Sequence, residues 1–272
     1  MSSDTITVET VVGHAGVLMV RIDHPPLNVM GLAQYHALAQ VFEAMDERPD
    51  VRCVVLTAAG EKAFIGGADV RQLVDRTPQR MMERGRSARR AFHAVRDCSV
   101  PVVCALNGSA VGAGLVVASV CDAIVAVETA RFALPEVTVG VLGGARHLSR
   151  ILPEKVVRWM ALSGEPVDAA SMQAHGAVHA VVPRPQLLPT ALAMADRIAA
   201  KSGVVTRMLK DCLNIGDELP LREGFRLEQV FTALAASMPD AREAALAWVE
   251  KRAPRFSDGA PATHSPTPGD AR

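Results

Sequence analysis

Apolar positions along the chain fall into short continuous runs that alternate with helical stripes. Residues 5–12 and 17–22 are β-rich runs on either side of Gly13-His-Ala-Gly16, which predicts an opening hairpin, and the Pro25-Pro26 pair ends its second strand. Residues 32–45 repeat apolar side chains at three- and four-residue spacing and predict an amphipathic helix. Residues 51–57 form a β-branched run closed by Ala58-Ala59-Gly60. The alternation returns as an Arg-rich helix over 79–96, a strand over 102–106, a glycine-rich turn over 107–114, a helix of small residues to about Val120 and a strand over 123–127. Such a succession favours parallel strands joined by right-handed crossovers, the α/β class. Past Pro153 one further apolar run remains, over 178–182, and helices are expected over 187–200, 204–215, 221–238 and 240–251.

The pattern divides the chain into a core over 1–200, a helical region over 201–256 and a Pro-, Gly- and Ser-rich tail over 257–272 expected to be disordered. Stripes such as Leu227, Val230, Phe231 and Leu234 suit either internal packing or an oligomer interface. The 272 residues hold 29 Lys and Arg against 29 Asp and Glu, so no overall field draws the chain to nucleic acid or an anionic membrane. Aromatic residues at 4% argue against stacked single-stranded nucleic acid. Five Cys without a C-x-x-C pair give neither a disulfide framework nor a zinc site. His175 and His179 straddle Gly176, and no metal is assigned to them. The longest apolar stretch, 109–127, is broken by Asp122, and the first residues lack a basic leader, so a cytoplasmic protein without a membrane span is expected.

Two glycine-rich loops each follow an expected strand: Ala63-Phe-Ile-Gly-Gly-Ala-Asp-Val70 and Asn107-Gly-Ser-Ala-Val-Gly-Ala-Gly114. Small residues let a ligand approach the backbone, and N–H groups at a helix start are unpaired donors. A dinucleotide fingerprint is excluded by spacing, because Val117 stands where the third glycine would be. The Arg-rich helix reads most simply as a solvated face, with contact to phosphates or a partner left open.

Together these loops, Cys121-Asp122, Phe132-Ala-Leu-Pro-Glu-Val-Thr-Val-Gly140, Pro26-Leu27-Asn28 and Glu250-Lys-Arg-Ala-Pro-Arg-Phe256 resemble the crotonase (enoyl-CoA hydratase/isomerase) superfamily. The resemblance implies a spiral of repeated β-β-α units with a C-terminal helical trimerisation region, assembled as a trimer or a dimer of trimers. It implies an acyl-CoA thioester substrate, with coenzyme A part of the substrate and no further cofactor. It also implies backbone N–H donors at Ala68 and Ala113 that stabilise an enolate, and Glu136 as the catalytic carboxylate. Pro26, Leu27, Gly66 and Val70 are implied to line the CoA site.

The chain also departs from the family. The second hydratase glutamate falls on Val116, which can neither orient water nor transfer a proton. The segment Gly143-Gly-Ala-Arg-His-Leu148 is about three residues shorter than in hydratases, which brings Arg146 and His147 early. They read either as an exposed pair, the commoner fate of long polar side chains, or as a replacement acid or a ligand for a substrate carboxylate. One base suits double-bond isomerisation better than hydration. Decarboxylation or C–C cleavage of an acyl-CoA, and non-catalytic acyl-CoA binding, are the alternatives.

Overall fold

The computed structural model describes residues 5–257 apart from Asp75. It contains two compact units, Met1–Ala199 and Ala200–Arg272. The first holds β1 (Ile6–Thr10), β2 (Val17–Ile22), α1 (Leu32–Glu43), β3 (Cys53–Ala58), β4 (Ala63–Ile65), α2 (Pro78–Asp97), β5 (Val102–Leu106), β6 (Ser109–Val111), α3 (Ala113–Ser119), β7 (Ala123–Val127) and β8 (Arg131–Ala133). It continues through α4 (Ala145–Leu148), α5 (Glu154–Ser163), β9 (Val167–Asp168), α6 (Ala169–Ala174), β10 (Ala180–Val182) and α7 (Leu187–Ala199).

The strands form two sheets. The larger runs in the order β1-β2-β3-β5-β7-β10, antiparallel only between β1 and β2. The smaller runs β4-β6-β8-β9, antiparallel only between β8 and β9. Strands β3, β5 and β7 are buried along their whole length, as expected of parallel strands covered on both faces. Helix α7 packs on β3, β5 and β7, and α1 packs along α2. Local chemistry fixes the boundaries. Thr77 caps α2 by accepting from the Arg80 N–H at 3.3 Å, with Pro78 at the first helical position, and Asp122 ties β5 to β7 by accepting from the Val102 N–H at 2.7 Å.

The smaller sheet is absent from the sequence-based expectation, which read residues 63–70 and 107–114 as loops. Strands of three residues are too short to show an alternating period. Its construction explains the spiral. Each pair β3/β4, β5/β6 and β7/β8 gives one strand to the large sheet and the next to the small one. Because β4, β6 and β8 are parallel neighbours, their C-terminal ends lie side by side.

The second unit comprises α8 (Gly203–Gly216), α9 (Leu221–Ala236) and α10 (Pro239–Val249). Ser202 caps α8 and donates to buried Asp240 at 2.8 Å. The N–H and Oγ of Ser257 also donate to Asp240, each at 2.8 Å, so Ser257 is anchored rather than part of a disordered tail. Residues 258–272, expected to be disordered, lie outside the described residues. Among the described residues no helix is long and apolar enough to cross a membrane.

Candidate active site

The C-terminal ends of β4, β6 and β8 open onto a cavity of about 610 Å³. Each strand delivers one functional element. After β4 the chain passes through Gly67 (φ +107) to Ala68, and after β6 through Gly112 (φ +51) to Ala113. These left-handed glycine conformations are strained for any other residue, and each turns the peptide that follows it. Met30 pairs with Ala68 in a parallel bridge that uses the Gly67 carbonyl (2.8 Å) and the Asp69 N–H (3.2 Å), which leaves the Ala68 N–H on the other side. Ala113 opens α3, where an N–H has no intrahelical acceptor. Neither N–H has a hydrogen-bond acceptor among the described residues, and both residues line the cavity.

After β8 a 3₁₀ turn over Pro135–Val139 carries Glu136 into the same cavity. Its carboxyl is slotted between two backbones. A methyl group on Gly112 would stand 2.7 Å from Oε1, and one on Gly143 would stand 2.6 Å from Cδ. Oε2 is buried and has no hydrogen-bond partner among the described residues. Burial pushes the Glu136 carboxyl above its ordinary range, while its own backbone N–H and Arg84 pull in the opposite direction. A carboxylate with one unpaired oxygen and raised proton affinity is suited to accept a proton.

Val116, one turn into α3, is 1% exposed and lines the cavity against Gly144. Glu136 is therefore the only Asp or Glu among the described lining residues. Gly66, Val70, Arg146 and His147 also line the cavity. Arg146 is exposed, whereas His147 is half-buried with its ring edge-on to Phe92 at 5.9 Å. Burial pushes His147 below the ordinary imidazole range, assisted by His93, Arg150 and Arg96. Pro26 and Leu27 do not line this cavity. The Leu27 carbonyl accepts from the Gly66 N–H at 2.8 Å and so holds the first glycine loop in place. Asn28 braces the same region by donating to the carbonyls of Ala59 (3.0 Å) and Ala63 (3.2 Å).

Sequence reasoning missed a further wall of the cavity. Met81, Arg84, Ala88 and Phe92 of α2 face it, together with Tyr35 of α1, so the Arg-rich helix is not solely a solvated face. The signal was the small and apolar residues at three- and four-residue spacing within a helix dominated by arginine. Tyr35 is 2% exposed and packs edge-on to Phe92 at 5.9 Å. Burial pushes its phenol above the ordinary range, Arg84 opposes this and Glu136 adds to it. Among the described residues no cluster of three or more His, Cys, Asp or Glu could hold a metal ion.

The family model for enoyl-CoA hydratase/isomerase matches residues 13–259. A (7aS)-7a-methyl-1,5-dioxo-2,3,5,6,7,7a-hexahydro-1H-indene-carboxyl-CoA hydrolase from Mycobacterium tuberculosis is 40% identical over 219 residues, covering 80% of this chain and 88% of that protein. A probable enoyl-CoA hydratase, echA8, from Mycobacterium bovis is 32% identical over 261 residues, covering 94% and 99%. The crystal structure of an enoyl-CoA hydratase from Bacillus anthracis superposes with a TM-score of 0.88 at 26% identity, covering 94% of this chain and 100% of that one. With its two-sheet spiral and the matched family model, the chain belongs to the enoyl-CoA hydratase/isomerase family of the crotonase superfamily.

Proposed function

We propose that this acyl-CoA enzyme uses Glu136 as its single general base and the N–H groups of Ala68 and Ala113 as an oxyanion hole, and that it hydrolyses a cyclic, oxo-substituted acyl-CoA. The observation that carries this reading is that Glu136 is the sole carboxylate among the described residues lining the cavity. By the family resemblance the second hydratase glutamate falls on Val116, buried in the cavity wall, which argues against hydration of a double bond by a pair of carboxylates. A single base remains sufficient for chemistry in which the thioester holds the negative charge. Two fixed donors aimed at that oxygen contribute about 3–4 kcal/mol each to the transition state.

The similarity to a hydrolase of a bicyclic dioxo acyl-CoA supports the choice of reaction. In the proposed step Glu136 takes a proton from water, and the resulting hydroxide adds to a ring ketone carbon. The carbon–carbon bond on the thioester side then breaks. Its electron pair becomes the thioester enolate, the former ketone becomes a carboxylic acid, and the proton held by Glu136 is returned to carbon. Water is consumed, and coenzyme A stays attached. A cavity of about 610 Å³ lies within the usual range for small-molecule sites and admits a bulky acyl group.

Double-bond isomerisation is the second reading, and Val116 favours it equally: one carboxylate can remove a proton at C2 of a 3-enoyl-CoA and return it at C4. In both readings coenzyme A belongs to the substrate and no further cofactor takes part. Self-association as a trimer or a dimer of trimers is supported by α9, which buries none of its own residues and leaves Phe225 and Leu234 more than half exposed.

A panel of 2-enoyl, 3-enoyl and cyclic oxo acyl-CoA thioesters followed by mass spectrometry tests the proposal. Cyclic oxo substrates are expected to gain the elements of water with coenzyme A retained, and the product should carry a new carboxylic acid that forms a methyl ester. Glu136→Gln should bind these substrates without turning them over. Conversion of 3-enoyl-CoA alone, without mass change, selects the second reading. Loss of carbon dioxide selects decarboxylation, and saturable binding without turnover of any thioester selects a non-catalytic binder.

A further inference from the structure

The charges lining the cavity are unbalanced. Among the described residues Arg84, Arg89 and Arg146 line it, with Glu136 as the only carboxylate. Asp69, the acid beside the first oxyanion loop, is engaged by Arg71 at 2.9 Å. Arg84 is the most enclosed of the three arginines, being half-buried where Arg89 and Arg146 are exposed, and its Nε is buried without a hydrogen-bond partner among the described residues. It forms no ion pair with Glu136 among the described residues, although each lies near enough to feel the other's charge. The buried Tyr35 stands beside it and hydrogen-bonds the Arg84 side chain, while Asp69 and Glu136 are near enough to feel its charge. A buried guanidinium nitrogen without a partner costs free energy that a bound anion would offset, and the planar fork of arginine matches a carboxylate.

Resting on the proposed hydrolysis, we propose that Arg84 is a specificity-determining residue, the receptor for a carboxylate at the far end of the acyl group. The substrate class narrows accordingly to acyl-CoA thioesters whose acyl group carries, or acquires on ring opening, a second acidic function. In the proposed step negative charge appears on the former ketone carbon's oxygens, and Arg84 is the enclosed cation of the cavity able to receive it.

The test is calorimetric binding of matched pairs that need no turnover, such as the mono-CoA thioester of adipic acid against hexanoyl-CoA. Wild type should bind the acid-bearing thioester roughly ten-fold or more tightly than the neutral one, the value of a charge-assisted hydrogen bond. Arg84→Met should erase that preference while leaving hexanoyl-CoA affinity in place, and Arg84→Lys should retain part of it. Equal affinities in the wild type overturn the inference, as does an Arg84→Met variant that weakens both ligands alike. Should Arg84→Met fail to fold, the wild-type preference together with its reduction in Arg84→Lys decides. The acid preference is independent of the base: its absence alongside Glu136-dependent hydrolysis refutes only the role of Arg84, whereas no binding of either thioester refutes the acyl-CoA reading as well.

Discussion

One wall of the cavity is made of backbone and another of side chains. The first comprises the peptides at Ala68 and Ala113 and the slot between Gly112 and Gly143 that receives Glu136. The second is the face of α2, with Met81, Arg84 and Phe92, joined by Tyr35. Backbone donors at strand ends are fixed by the sheet and by the glycine conformations preceding them, so they can meet the same thioester oxygen whatever else the substrate carries. Side chains projected from one helix face can vary without disturbing the sheets. On the proposed mechanism the common chemistry belongs to the first wall and substrate choice to the second.

The sharpest way to break the backbone wall is Ala113→Pro. Position 113 is the first residue of α3, where proline is tolerated because that N–H has no helical partner, so the donor is deleted with little damage to the helix. Turnover should fall by roughly 10²–10³-fold, the cost of losing one oxyanion donor, with circular dichroism unchanged. A folded variant of normal activity would remove Ala113 from the oxyanion hole.

The residues of the backbone wall were legible through the family resemblance of the two glycine loops, and in the structure Gly67 and Gly112, at positive φ, stand immediately before Ala68 and Ala113. The motif around Glu136 was legible for the same reason, through its resemblance to a family built on that geometry. The second wall was not. Arg84 sits in a helix where arginine predominates, and only its place on the Met81, Ala88 and Phe92 stripe, masked by the surrounding arginines, sets it apart from those in solvent. Tyr35 lies within an apolar stripe and reads as core, which its 2% exposure also makes it. The small sheet escaped notice because its strands are two or three residues long. Pro26 and Leu27, implied by the resemblance for the CoA site, lie outside this cavity, and Leu27 bears on it through its carbonyl on Gly66.

Val116→Glu sharpens the comparison by adding a second carboxylate to the backbone wall. Hydration of crotonyl-CoA, expected to be slow in the wild type, should rise by up to about 10²-fold, the scale of one acid–base group. Because position 116 is 1% exposed, the new carboxyl should also lower thermal stability. Efficient hydration by the wild type would overturn the single-carboxylate account.

A smaller effect is expected from Glu136→Gln on stability. Burial raises the folded-state pKa of Glu136 above its unfolded value, so this group's contribution is most favourable below the unfolded pKa and is lost as pH rises through the folded one. At neutral pH the ionised carboxylate therefore weakens the fold, and the neutral amide should raise the melting temperature modestly. By the same shift, wild-type turnover should fall on acidification through a pKa above the ordinary carboxylate range. A lower melting temperature for the variant would mean that the carboxylate makes favourable contacts in the fold.

The most direct measurement of one-base enolate chemistry needs no knowledge of the natural substrate. A saturated acyl-CoA is incubated with the protein in D₂O, and exchange of the proton beside the thioester carbonyl is followed by NMR. Wild type should exchange that proton, and Glu136→Gln should bind the same thioester yet exchange at least about 10²-fold more slowly, the lower end of what a positioned base contributes. Exchange by Glu136→Gln at the wild-type rate would contradict the account and make another group the base.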